Sequence, residues 1–256
     1  MKPLLRYLGL AVGAYLLMLV ITLPATHLNG WFGAHLPQLK LHTPGGTLWS
    51  GNAASVRIDN TTLENVEWCY APTALLSGRI GFNTQIKSRL VKGEGLLSID
   101  AEQLVGIDGL TAISSLAQLP LPPMAAAVKP TGKLELRLTQ ARLAGKQIKS
   151  LTGELIWRDA SFSLAQPVAL GDLKATFATN EQGLQIDISD LGGDLQTNLK
   201  ITIDAKMNYR LNGNLNLRNQ QRLDLQQLLS MLGARGNSNR AAINLSGRLP
   251  QLPLTL

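Results

Sequence analysis

The run "KLELRLT", Lys133–Thr139, places a leucine at every second position, with charged or polar residues between. Successive side chains of a strand point to opposite faces, so this is a half-buried β-strand with its leucines on one side. The alternation returns in "GLQIDIS" (183–189), "NLKITID" (198–204), "LNLR" (215–218) and "AINLSGRL" (242–249). Gly, Asn and Asp interrupt the runs, as short antiparallel connections require. Two segments depart from the pattern. "LDLQQLLSMLGARG", Leu223–Gly236, carries leucines at helical spacing with Asp224 as its N-cap and Gly233 near its end, and residues Gly109–Leu119 read as a second, shorter helix before the prolines.

A sheet of such strands has one apolar face, which has to be buried against something. Aromatic residues are 5% of the chain and charged residues 16%. The sheet therefore curls on itself, packs as a sandwich, or offers its apolar face to lipid or a partner. A faint internal repeat accompanies it: Gly-x-Leu, an apolar strand, then a strand bearing Trp, with Trp68 following Gly46 and Trp157 following Gly132. The repeat divides the β region into related units, 44–128 and 129–256.

Upstream, the stretch from Tyr7 to Leu23 carries no charge and follows Lys2 and Arg6. Its length lies at the lower bound for a membrane-spanning helix. A signal peptide is the competing reading, but "LPATHLNG" makes a poor cleavage site. The flanking basic residues place the N-terminus in the cytoplasm. The expected layout is a cytoplasmic N-terminus (1–6), a transmembrane helix (7–23), a stalk (24–43) and a β domain (44–256) outside the cytoplasm. Gly9 and Gly13, four apart with Ala14 beside them, would let a partner helix approach closely.

Chemistry is sparse. His27, His35 and His42 all fall in the stalk, at spacings that match no zinc signature. The carboxylates lie on alternating faces with no isolated acid–base pair. No catalytic residue, metal site or cofactor is expected, and the chain reads as a non-enzyme. The single cysteine, Cys69, reads as a buried thiol. The formal charge is +7, or +5 without Lys2 and Arg6. Its densest basic group, Lys87, Arg89 and Lys92, lacks the aromatic platform of a nucleic-acid surface and reads as a solvated strand edge or a headgroup contact.

One stretch remains, "TPGGTLWSGNAASVRI", Thr43–Ile58, a glycine-rich hairpin just beyond the stalk. Its Gly46, Thr47, Trp49 and Gly51, followed by Trp68, Pro72, Leu75 and Gly78, resemble the paired motifs of the type II secretion system protein N (GspN) family. That family in turn looks distantly similar to AsmA-like proteins. The resemblance implies a mainly β fold: a transmembrane helix followed by an elongated, curved antiparallel sheet. It further implies an accessory role in the Gram-negative inner membrane, in export of folded proteins from the periplasm, with other platform proteins as partners and no enzymatic activity. An apolar groove that binds or transfers phospholipid is the alternative. In both cases Trp49 and Trp68 are apolar anchors on neighbouring strands, with Trp157 the counterpart of Trp68.

Overall fold

Strands that alternate and are joined by short turns pair with their sequence neighbours, and this chain does so throughout. A computed structural model describes residues 2–27, 39–58, 61–121, 123–145, 147–163, 167–231 and 239–249. Its sheet has thirteen strands, each hydrogen-bonded to the next in sequence order. They are β1 (Leu39–Gly46), β2 (Ser50–Ile58), β3 (Thr61–Tyr70), β4 (Arg79–Lys87), β5 (Lys92–Asp100), β6 (Leu104–Ser115), β7 (Thr131–Ala144), β8 (Gln147–Ser163), β9 (Pro167–Asn180), β10 (Gly183–Asp190), β11 (Leu195–Ile203), β12 (Asn208–Leu217) and β13 (Arg240–Arg248). All described pairings are antiparallel. The sheet is open, with β1 and β13 as its edges, rather than a sandwich. At roughly 4.8 Å per strand it measures about 60 Å along the hydrogen bonds.

Helices are few. Helix α1 (Lys2–Ile21) precedes the sheet, α2 (Pro123–Ala127) lies between β6 and β7, and α3 (Leu223–Met231) between β12 and β13. Short 3-10 turns occupy Ala25–His27, Pro72–Ser77 and Leu116–Gln118. The first strand opens at Leu39, inside the segment read as stalk. The boundary between the two supposed repeat units falls between β6 and β7, which are hydrogen-bonded neighbours, so the sheet passes through it unbroken.

Three readings of the sequence need correction. Gly109–Ser115 is strand, not helix: β6 runs to Ser115, and only Leu116–Gln118 turns. Leu110, Ile113 and Leu116 imitate helical spacing, but Ile113 lies on the opposite side of β6 and is exposed. Asp224 is not an N-cap; it sits in the first turn of α3 and holds Arg222, while Gly233 lies outside the described residues. Cys69 is exposed, because alternation gives Trp68 and Tyr70 one face and Cys69 the other.

Among the described residues no helix is long and apolar enough to cross a membrane. Helix α1 ends at Ile21, before the last two residues of the uncharged stretch, because Leu23 and the following Pro24 are held by the sheet.

Candidate interaction surfaces

Paired residues of adjacent strands share a face, so the register carries an apolar row across the whole sheet. One residue per strand runs Pro44, Ala53, Val66, Ile86, Gly93, Ala112, Leu136, Leu155, Ala175, Ile188, Leu199, Gly213, Ile243, with no polar side chain. A flanking row, Leu110, Leu138, Gly153, Phe177, Ile186, Ile201, Leu211, Leu245, continues the same face over β6–β13. Beyond the central row, Ile80, Ile99, Val105, Leu143 and Ile148 form another.

Strict alternation alone would not keep these rows on one face. In β8 the apolar positions change from odd (Leu155, Trp157) to even (Ala160, Phe162), with a register shift between Trp157 and Ala160. Asp159 sits inside that shift at φ 50, a conformation that L side chains seldom adopt. In β6 the change comes at Gly109, φ 59, opposite the irregularity between Glu94 and Leu96. In β3 Asn65, φ 49, separates Leu63 from Val66, both packed in one apolar cluster. Each irregularity resets the phase and returns the next apolar side chain to the same face.

Cover over this face is local. Leu225 and Leu229 of α3 are 0% and 1% exposed, packed on Val168, Leu195, Leu215, Leu217 and Ala241. Toward the other end Ile80 is 48%, Leu97 39%, Ile99 37% and Val105 39% exposed. The Pro72–Ser77 turn packs on β4 with Ala74 against Gly81, on the side away from Ile80, and no described α-helix packs on β4–β6. At the β13 edge Leu245 is 54% exposed.

The opposite face carries the charges, paired across strands. Glu154 bridges Arg137 and Lys174, Arg158 bridges Glu135 and Asp172, and Asp108 bridges Arg79 and Arg142. Lys87 and Arg89 meet Glu67 and Glu64, so two of the basic trio read from sequence form ion pairs on this face. The hydrogen bond from Lys174 holds Glu154 below the usual carboxylate range, and that from Arg158 does the same for Asp172. A depression of about 930 Å³ opens here beside Asn52, Glu67, Cys69, Asn83 and Gln85. Its Glu67 is already engaged by Lys87.

A second polar cluster fastens α3. Arg222 holds Asp194 at 2.6 Å and Asp224 at 2.7 Å, and these partners raise its pKa. Arg222 holds Asp224 low in turn. Nearby, burial pushes the Asp190 carboxyl up, but Arg218 at 2.6 Å and the amides of Thr197 and Gly192 outweigh it and hold it low.

The glycine-rich motif joins α1 to the sheet. The last carbonyls of a helix lack intrahelical partners, and here the β1–β2 turn reaches one of them, with a further bond just past the helix end. Trp49 Nε1 donates to the Val20 carbonyl at 2.8 Å, and the Leu48 amide to that of Leu23 at 2.8 Å. Thr47 pairs with Pro24 as an isolated bridge, and its hydroxyl closes the turn on Ser50. Gly46, φ 82, admits no side chain, since a Cβ would meet the Ser50 carbonyl at 2.6 Å. Trp49 therefore lies in the turn rather than on a strand, with its ring edge-to-face on Tyr70 at 5.2 Å.

Trp68 and Trp157 have matching surroundings. The Trp68 ring lies over Gly51, and its Nε1 donates to the Leu48 carbonyl. Trp157 lies against Gly132 and donates to the Thr131 carbonyl at 2.9 Å. Each ring crosses a glycine at the start of the preceding strand and ties its indole to the backbone there. Pro72 opens the turn at Pro72–Ser77 and Gly78 closes it at φ 69, while Leu75 is exposed. These motif residues thus divide between the helix joint and the β3–β4 connection. A Cβ added at Gly13 of α1 would meet nothing within 4 Å beyond the helix's own backbone; Ala14 is exposed. The surroundings of Gly9 lie outside the described residues. Periodicity gave no hint of the α1 contact, because Val20 and Trp49 are 29 residues apart.

The molecule is thus an open sheet whose apolar face is sealed under α3 and partly exposed along β4–β6, joined to an N-terminal helix by its first turn. The model of the family "Type II secretion system (T2SS), protein N" matches residues 37–244, from the first strand into β13. The chain belongs to that family. A curated relative, "Type II secretion system protein N" of Vibrio cholerae serotype O1, is 26% identical over 227 residues, covering 84% of this chain and 87% of the relative. No solved structure matches.

Proposed function

We propose that this protein is an accessory of the type II secretion machine that acts by binding rather than by catalysis, with the open apolar face as its working surface. The observation that carries the reading is the family match, which spans the sheet almost from edge to edge. The uncovered rows through Leu97 and Ile99 support it, since a contiguous exposed apolar patch marks an interaction site. In this reading α1 anchors the chain in the inner membrane with its N-terminus cytoplasmic, and the sheet stands in the periplasm against other platform proteins. The joint at Trp49 would then hold the sheet in a fixed relation to the bilayer.

Deleting the chain should leave exported proteins in the periplasm, and the full-length chain should restore their release. Protease added to spheroplasts should degrade the sheet and leave a small N-terminal fragment. Normal export without the chain, or a protected sheet, removes the proposal.

A second reading has its own support. The central apolar row contains no hydrogen-bonding side chain on any strand. Acyl chains ask for none. Lipid extraction of the gently purified chain separates the two: stoichiometric phospholipid favours a lipid-binding or lipid-transfer role, whereas platform proteins co-purifying without lipid favour the first.

A further inference from the structure

The two edges of the sheet differ, and the difference points to a partner. Edge strands expose unpaired backbone groups, and proteins commonly blunt them with proline or irregular backbone. β1 is blunted in this way: Pro44 has no N–H to offer, and Thr43 sits at φ 46. β13 is not. It pairs with β12 without a shift from Arg240 to Arg248 and contains neither proline nor a positive-φ residue.

The hydrogen bonds at the two ends of β13 show which backbone groups face outward. The Leu249 amide donates to the Met207 carbonyl, and the Asn239 carbonyl accepts from Leu217. Odd-numbered residues therefore face β12, because hydrogen-bonded positions recur every second residue in an antiparallel pair. The N–H and C=O groups of Ala242, Asn244, Ser246 and Arg248 point away from the sheet and meet no partner among the described residues.

We infer that β13 accepts one further antiparallel strand, an extended segment of another protein with acidic residues on one side and apolar residues on the other. The alternation of β13 sets that pattern. Ile243 and Leu245 stand on the apolar face, so a strand laid beside them extends it with apolar side chains. On the charged face Arg248 stands at the edge, with Arg210 behind it opposite Ser246. Neither arginine makes an ion pair among the described residues, whereas Arg79, Arg137, Arg142, Arg158, Arg218 and Arg222 do. Main-chain bonds would give affinity and the alternate side chains specificity, as in other strand-addition complexes. A second copy fits poorly: β13 of another copy carries no acidic residue to meet Arg248 and Arg210. The inference stands on strand geometry and does not depend on the secretion reading.

The test uses the full-length chain in detergent and a fluorescent nine-residue peptide of alternating Glu and Val, with a same-composition peptide of blocked order as control. The alternating peptide should bind, and the blocked one at least tenfold more weakly. Ser246→Pro removes an outward N–H while leaving the β12 ladder intact, and should weaken binding at least tenfold with unchanged circular dichroism. Arg248→Glu should weaken it several-fold and flatten its salt dependence. No binding, equal binding of the two peptides, or full binding by Ser246→Pro with an intact sheet overturns the inference. So does a dimer in sedimentation that Ser246→Pro dissolves, which would make a second copy the occupant. Truncation after Leu249 should change nothing; a tenfold gain in binding would make the chain's own end the occupant and overturn it as well.

Discussion

Under α3 the apolar face is sealed, with Leu225 and Leu229 shut in by Val168, Leu195 and Leu215, and Arg222 tying the helix to Asp194. Along β4–β6 the same face is made of the same residue types, with Ile80, Leu97, Ile99 and Val105 in place of Leu195 and Leu215, yet no described α-helix packs on it and these side chains stay partly exposed. Sequence composition does not separate the two regions. What differs is whether a helix returns across the strands. The sealed region is a closed core, while the open one leaves part of each apolar side chain in water.

Substitution should break this equivalence most visibly. Leu225→Ala or Leu229→Ala deletes a fully buried side chain and should cost about 2–5 kcal/mol. Leu97→Ala, in the open region, should cost about 1–2 kcal/mol, since Leu97 is 39% exposed and part of its burial is never gained. Urea unfolding of the detergent-solubilised chain measures both. Similar losses at Leu225 and Leu97 would mean that something covers the open rows. Trp68→Ala and Trp157→Ala should each cost about 3 kcal/mol and by similar amounts, because the two rings have the same glycine and carbonyl contacts.

Acid should act on the sealed region first. Asp190 and Asp224 have lowered folded pKa values, so their contribution is present above the unfolded value of about 3.9 and is lost as pH falls through the folded ones. Amide exchange in α3 should therefore rise between pH 5 and pH 2.5 before exchange in β4–β6 does. Asp190→Asn should reduce that dependence. A smaller effect is expected at the joint: Trp49→Phe keeps a ring for Tyr70 but loses the bond to Val20, at about 1 kcal/mol, read as faster proteolysis near Ala25. Smallest of all, Lys87→Gln on the charged face should change stability by no more than about 0.5 kcal/mol.

Much of the fold was legible because alternation is local. "KLELRLT" lies in β7 as read, the run at 183–189 lies in β10, and those at 198–204 and 242–249 overrun β11 and β13 by one residue. The illegible part lies where the phase resets. Asn65 and Asp159 look like ordinary polar residues in the sequence, and only their positive φ shows that they return apolar side chains to one face. The misreading of Gly109–Ser115 has another origin: Ile113 stands exposed on the far side of β6, and its apolar type completes a false helical spacing with Leu110 and Leu116. Cys69 could have been placed correctly: Trp68 and Tyr70 on one face leave it the other. The joint could not, because Trp49 finds Val20 through the path of the chain rather than through any pattern.

The open apolar face as a working surface is the central claim, and the double substitution Leu97→Asn/Ile99→Asn tests it most directly. Both side chains lie in the uncovered rows, so the full-length variant should accumulate to near-normal levels in the membrane. The measurement is the amount of exported protein in the medium relative to the periplasm, in cells whose own copy is deleted. The account predicts at least a tenfold fall in export at normal abundance of the variant. Normal export at normal abundance would contradict it.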